Sequence, residues 1–121
     1  MTKETYQRKI KKACQDAGTY RPFFDETIKT LSQMLETRDK ALEQYEKTGG
    51  KPVVAHTNKA GATNIVKNPA LTVVADINRD ALAYWRDLGL TPAGLRRINE
   101  KAMEQKKGKD LAGLVADLLG E

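Results

Sequence analysis

Residues Asn68 to Ile98 read NPALTVVADINRDALAYWRDLGLTPAGLRRI, and this stretch decides the fold. Asn68-Pro69 opens a helix. Asparagine can cap the first free amides, and proline at the first helical position gives up an N–H that no helix would have used. Leu71, Val74, Ala81, Trp85 and Leu88 mark one face, with Asn78 polar in its middle. Val73, Ile77 and Tyr84 mark an adjacent face, and an apolar surface this wide predicts two covering neighbours. Gly89 is expected to end the helix in a left-handed conformation that lays Leu90 back against Trp85. Thr91-Pro92 starts the next helix at once, and Leu90 is also placed to staple to Leu95. One leucine then serves two helix ends and fixes the angle between them.

Upstream, Lys51 to Lys67 changes character. β-branched residues flank a turn-rich tetrad with Asn58 and Gly61, the pattern of a small β-hairpin at about 52–66. A two-stranded hairpin is marginal alone in water, so it should pack on a helix or on a sister subunit. Before it, Phe23 or Asp25 opens a long helix that Gly49-Gly50 must end. Phe24, Ile28, Leu31, Leu35, Arg38, Leu42 and Tyr45 follow alternating spacings of 4 and 3, the heptad seam of helices packed side by side. Such a seam suits a helical hairpin or a subunit contact, and Ile28, Leu31, Leu35, Leu42 and, from the central helix, Trp85 are the expected oligomer interface. Arg38 interrupts the seam, either fixing register through a half-buried partner or marking where the seam runs out into solvent. Thr2 to Ala17 reads as the first helix, stopped by Gly18. It carries Tyr6, Ile10, Ala13, Cys14 and Ala17 on one face and Arg8, Lys11, Lys12 and Gln15 opposite.

Downstream, a fourth helix runs to about Gln105 with Arg96, Arg97 and Lys101 exposed, and Lys106-Lys107-Gly108-Lys109 reads as a basic hinge. The last residues, DLAGLVADLLGE, place Leu111, Leu114, Val115, Leu118 and Leu119 on one face of a short helix capped by Asp110. About ten residues do not hold a helix alone in water, so this tail must dock on something. The expected organisation is one mainly α domain over residues 1–108, with the hairpin inserted, and an amphipathic tail helix at 109–121.

Composition bounds the function. With 121 residues, seven of them aromatic, and 31% charged, the core must come from aliphatic side chains on helices; oligomerisation could supply the missing burial. The net charge of +5 is laid out in blocks. Residues 1–21 carry six Lys/Arg against two acids, residues 51–68 three against none, and residues 91–108 five against two. Cys14 is the only cysteine, which rules out an internal disulfide and makes a reducing cytoplasm the default setting. The sequence has neither an apolar run of membrane-spanning length nor the apolar core of a signal peptide. A GxxxxGK[ST] phosphate loop and a paired-cysteine metal pattern are both missing, and the only histidine, His56, has no second ligand near it in sequence. Asp76, Asp80 and Asp87 sit on a charge-mixed helix face with Arg79. No enzyme, metal or other cofactor is expected.

The order of parts resembles a known family. Asn-Pro-Ala-Leu, a helix ending Asp-Leu-Gly-Leu, then Thr-Pro-Ala with Leu and Arg close behind, is similar to the small terminase subunit of tailed bacteriophages, in its compact form without a separate large DNA-binding domain. In that family an acidic, heptad-like helix precedes a short basic segment and the Asn/His-Pro-Ala-Leu motif, as residues 25–70 do here. The resemblance implies a non-enzymatic protein that forms a homo-oligomeric ring in the host cytoplasm and recognises double-stranded viral DNA. It also implies a partner, the large terminase subunit with its packaging ATPase and nuclease. The DNA-contact candidates, Arg8, Lys11, Lys12, Arg96 and Arg97, rest on charge placement alone, and no helix pair shows a helix-turn-helix pattern. Leu111, Leu114, Val115 and Leu118 are the expected large-subunit contact. Two other readings suit the same residues: a small helical DNA-binding regulator, which would be a dimer matched to two half-sites, and a structural interaction module that binds no nucleic acid.

Overall fold

The computed structural model describes residues 1–101 together with Glu104, Val115 and Leu118. The chain is mainly helical with one small antiparallel hairpin. Helix α1 spans Lys3–Asp16, α2 Asp25–Lys47 and α3 Pro69–Asp87, while strands β1 (Val53–Thr57) and β2 (Thr63–Lys67) stand between α2 and α3. Residues 92–101 form α4. Of the expected tail helix, only Val115 and Leu118 are described, both helical and exposed. The basic hinge, Leu111, Leu114 and Leu119 lie outside the described residues.

Helix α1 starts where Thr2 caps it, the hydroxyl accepting the Thr5 amide at 3.2 Å. Its buried face is Tyr6, Ile10 and Cys14, one side chain per turn, and Ala13, expected on that face, is exposed. A single 3-10 turn, Pro22–Phe24, leads into α2, whose first turn holds Asp25 and Glu26 at the positive end of the helix dipole. Helix α2 runs back along α1 and α3 runs back along α2, so α2 is covered on two sides. That placement decides the fate of the seam. Ile28, Leu31 and Leu35 are 2%, 0% and 1% exposed within the chain's own core, whereas Leu42 and Trp85 keep part of their surface. The buried Ser32 hydroxyl is satisfied inside α2 by donating to the Ile28 carbonyl at 2.7 Å.

Arg38, the interruption in the seam, has its partner. Its Nη2 donates to the Tyr6 hydroxyl and to Asp39 Oδ1, both at 3.2 Å, while Tyr6 donates to Asp39 Oδ2 at 2.6 Å. The terminal ammonium reaches the same Oδ2 at 3.2 Å, and the Lys3 amide donates to Glu36 Oε2 at 2.6 Å. The first turn of α1 is thus pinned to the middle of α2 by polar contacts. Partial burial pushes the Asp39 carboxyl up, but the hydrogen bonds from Tyr6, the terminus and Arg38 outweigh it and hold Asp39 below its ordinary value. Burial and the Asp39 contact push the Tyr6 phenol up.

Asn68 does more than cap α3. It is 4% exposed and uses its whole amide: Oδ1 accepts from Ala70 N at 3.1 Å, and Nδ2 donates to Lys51 O at 3.0 Å and Thr48 Oγ1 at 3.3 Å. Its backbone N–H donates to Pro52 O at 2.8 Å. One side chain therefore ties the end of α2 and the base of the hairpin to the start of α3. The hairpin pairs Val53 with Lys67 through Thr57 with Thr63. Its turn is held by Asn58, whose Oδ1 accepts from Ala60 and Ala62, both at 3.0 Å. Only the base of the hairpin approaches a helix, where Val53 and Lys67 face Leu71 and Ala75 of α3 across a groove of about 410 Å³. The strands themselves stay exposed, with Ile65 at 77%.

Helix α3 buries Val74, Ala81 and, just beyond its end, Leu88. The second cover expected for α3 is incomplete: Val73 is 41% and Leu82 49% exposed on its flanks. Gly89 ends the helix at φ 73°, with Leu90 N donating to Trp85 O at 2.9 Å and Gly89 N to Arg86 O at 3.0 Å, both bonds of a Schellman close. The closes of α1 at Gly18 and α2 at Gly49 repeat it. Thr91 then caps α4, its hydroxyl accepting the Gly94 amide at 3.0 Å.

Candidate nucleic-acid interface

The joint between α3 and α4 is tighter than its caps require. A Cβ on Gly94 would collide with the Arg86 carbonyl and lie 3.0 Å from Arg86 Cα, so the two helices meet backbone to backbone. A Cβ on Gly89 would lie 2.7 Å from Thr19 Cγ2 and 2.8 Å from Ile98 Cδ1. The end of α1 is drawn into the same joint. The Thr19 hydroxyl, 1% exposed, donates to Leu88 O at 2.8 Å, and the buried Cys14 thiol lies 3.9 Å from the same carbonyl. Burial pushes the Cys14 thiol up, and the side chain is sealed within the core.

This joint sets the cations. Lys11 and Lys12 lie within one turn of Cys14, and Arg96 and Arg97 directly precede Ile98, so both pairs lie near the joint along the chain. All of the candidates, Arg8 included, are exposed. They are not equally free. Lys12 pairs with Asp16 at 3.2 Å, and Lys11 Nζ stands 5.1 Å from the centre of the Tyr20 ring. Tyr20 in turn donates to Asp25 at 2.6 Å, a contact that pushes its phenol up. Arg8, Arg96 and Arg97 make no ion pair among the described residues. Arg97 shares a cleft with Arg86 and Lys101, which the charge-based candidates left out. The i, i+4 spacing of Arg97 and Lys101 could have paired them. Arg86 becomes their neighbour only because Gly94 lets α4 close on the carbonyl of Arg86 itself.

The opposite half of α2 is acidic. Glu36, Asp39, Glu43 and Glu46 line a groove with Met1 and Leu42. The Lys3 amide holds Glu36 below its ordinary value. His56 is exposed in β1, opposite Asn64. Among the described residues no group of three or more His, Cys, Asp or Glu side chains converges as metal ligands would. Asp76 and Asp80 both pair with Arg79, at 3.5 and 3.3 Å. No described helix is long and apolar enough to cross a membrane.

The family model described as phage terminase, small subunit, matches residues 2–105, which takes in every described element and both cation groups. The chain belongs to the phage terminase small-subunit family. Searches of curated proteins and of solved structures returned no match. Membership supports a role in genome packaging for this terminase small subunit, in a family that is generally non-catalytic.

Proposed function

We propose that this terminase small subunit recognises double-stranded viral DNA in the host cytoplasm and delivers it to the large ATPase/nuclease subunit, itself performing no catalysis. Family membership across residues 2–105 carries this reading, and the exposed cations of α1 and α4 support it. Arg8, Lys11, Lys12, Arg96 and Arg97 are the proposed DNA contacts. The protein acts as a homo-oligomeric ring, in which weak phosphate contacts repeated from subunit to subunit add by avidity. With Ile28, Leu31 and Leu35 inside the subunit, contacts between subunits fall to side chains that retain surface: Leu42, Trp85, and the exposed Val73 and Leu82. Residues 1–108 act as one domain. The tail, 109–121, meets the large subunit through Leu111, Leu114, Val115 and Leu118.

Light scattering on the full chain, combined with fluorescence anisotropy on a labelled duplex, tests this. The expected result is a particle of several subunits whose duplex affinity falls steeply with salt and weakens on charge reversal of Arg8, Lys11 and Lys12. A monomer or simple dimer at working concentration refutes the ring, and absence of duplex binding at low salt refutes the recognition role. Deleting 109–121 should leave the oligomer intact and reduce stimulation of the large subunit; loss of the oligomer instead would make the tail structural.

A further inference from the structure

We propose that Arg86, Arg97 and Lys101 form one sequence-blind phosphate cleft that holds the backbone of duplex DNA at the corner between α3 and α4. This rests on the DNA-recognition reading above and adds to it two residues, Arg86 and Lys101, and a geometry.

The cleft is about 240 Å³ and is lined by Arg86, Asp87, Gly94, Arg97, Ile98 and Lys101. Arg86 comes from the last turn of α3, where the negative end of the helix dipole favours a cation. Arg97 and Lys101 lie one turn apart on α4, on the face that also carries Gly94 and Ile98. Gly94 brings the two helices into backbone contact. Three cations thus converge on a space that, among the described residues, contains a single carboxylate, that of Asp87. None of the three is ion-paired among the described residues, whereas Lys12, Lys40, Lys47 and Arg79 each have a carboxylate within 3.5 Å. Three like charges against one carboxylate leave an excess of positive charge that a bound anion relieves.

The chemistry of the lining selects the anion. Two guanidinium groups present planar forks that match phosphate oxygens bidentately, and the lysine adds a point charge. Among the described residues Ile98 is the only large apolar side chain in the cleft and no aromatic ring lines it, so they offer no platform on which a base could stack. The cleft therefore suits a phosphodiester and offers nothing that reads a base edge.

The test uses the full-length protein and labelled duplexes of two unrelated sequences, with affinity measured from low to moderate salt. The variant is Arg86→Gln/Arg97→Gln/Lys101→Gln. The control, Lys29→Gln/Lys40→Gln/Lys47→Gln, removes the same charge from the exposed side of α2. The cleft variant should lose affinity for both duplexes equally, and its log K against log salt should flatten by about one unit per phosphate contact removed. The control should keep its slope. Arg97→Gln alone should show part of the effect, which keeps the test open if the triple variant folds poorly by circular dichroism. An unchanged slope in the cleft variants, with the unmodified protein still binding DNA, overturns the cleft and leaves the recognition role standing. Equal losses in cleft variant and control, a loss on one duplex only, or retained DNA affinity with lost binding of an acidic peptide each overturn it too. Failure of the unmodified protein to bind either duplex at about 50 mM salt removes the underlying reading itself.

Discussion

Replacing Gly94 with alanine should destabilise the protein, and the sign alone is informative. In a solvated helix the same substitution stabilises by roughly 1 kcal/mol, because glycine is a poor helix former. Here the new methyl would collide with the Arg86 carbonyl oxygen and lie 2.9 Å from its carbon, where ordinary contact begins at 3.4 Å. The obstacle is backbone, which has no rotamer to change, so α4 must retreat by at least about 0.5 Å, the difference of those two distances. Overpacking of this kind typically costs about 1–3 kcal/mol. The propensity gain offsets part of that, for a net loss of about 1 kcal/mol or somewhat more. Denaturant unfolding followed by circular dichroism gives the free energy, and the fluorescence of Trp85, in the last turns of α3, reports on the joint. A Gly94→Ala protein as stable as the parent or more so, with an unchanged Trp85 spectrum, would refute the backbone-to-backbone contact.

Two further substitutions test the frame. Asn68→Ala should cost at least about 1 kcal/mol, the usual loss for an N-cap, and should also speed tryptic cutting at Lys59 because the hairpin base loses its tie to α3. Destabilisation with an unchanged cutting rate would reduce Asn68 to a simple cap. Asp39 and Glu36 are both held below their ordinary values in the folded chain. A depressed carboxyl contributes stability that is complete above the unfolded value, about 4, and that drains as pH falls through the lower folded value. The thermal midpoint should therefore drop as pH is taken below about 4, and Asp39→Asn should start lower at neutral pH and fall less. Parallel pH profiles for parent and variant would show that the α1 clamp carries no linkage.

The helix boundaries were legible in the sequence because capping is local chemistry. Asn68-Pro69, Gly89 and Thr91-Pro92 each act within a few residues of themselves, and each sits where its motif places it. The hairpin was legible from Asn58 and Gly61 for the same reason. The heptad spacing marks a packing surface, but periodicity does not say whose surface covers it, and Ile28, Leu31 and Leu35 are covered from within the chain. Arg38 left two readings open because its partners, Tyr6 and Asp39, come from another helix and from the adjacent residue. Gly94 and Thr19 gave no signal at all. A glycine inside a helix and a threonine after one are unremarkable until a distant carbonyl, that of Arg86 or Leu88, is placed against them. Net charge treats the candidate contacts alike, and only the fold distinguishes Lys12, paired with Asp16, from Arg97, which shares its cleft with two other cations.

The bond from Thr19 to Leu88 also bears on the order in which the chain assembles. It joins residues 69 apart, whereas the clamp between α1 and α2 joins residues 32–38 apart, as Tyr6 to Asp39 and Arg38 to Tyr6 do at 33 and 32. Contacts of short separation lose less chain entropy on closing and form earlier. The α3–α4 corner, where Gly94 meets Arg86 eight residues away, and the Asn68 tie at 17 and 20 residues are then the early structure, and the bond that brings the end of α1 onto Leu88 closes last. Thr19→Val should accordingly speed unfolding while leaving the refolding rate nearly unchanged; slowed refolding would instead place the joint in the folding nucleus. The corner we assign to holding DNA is thus assembled from neighbours in sequence, and the end of α1 is the latch added over it.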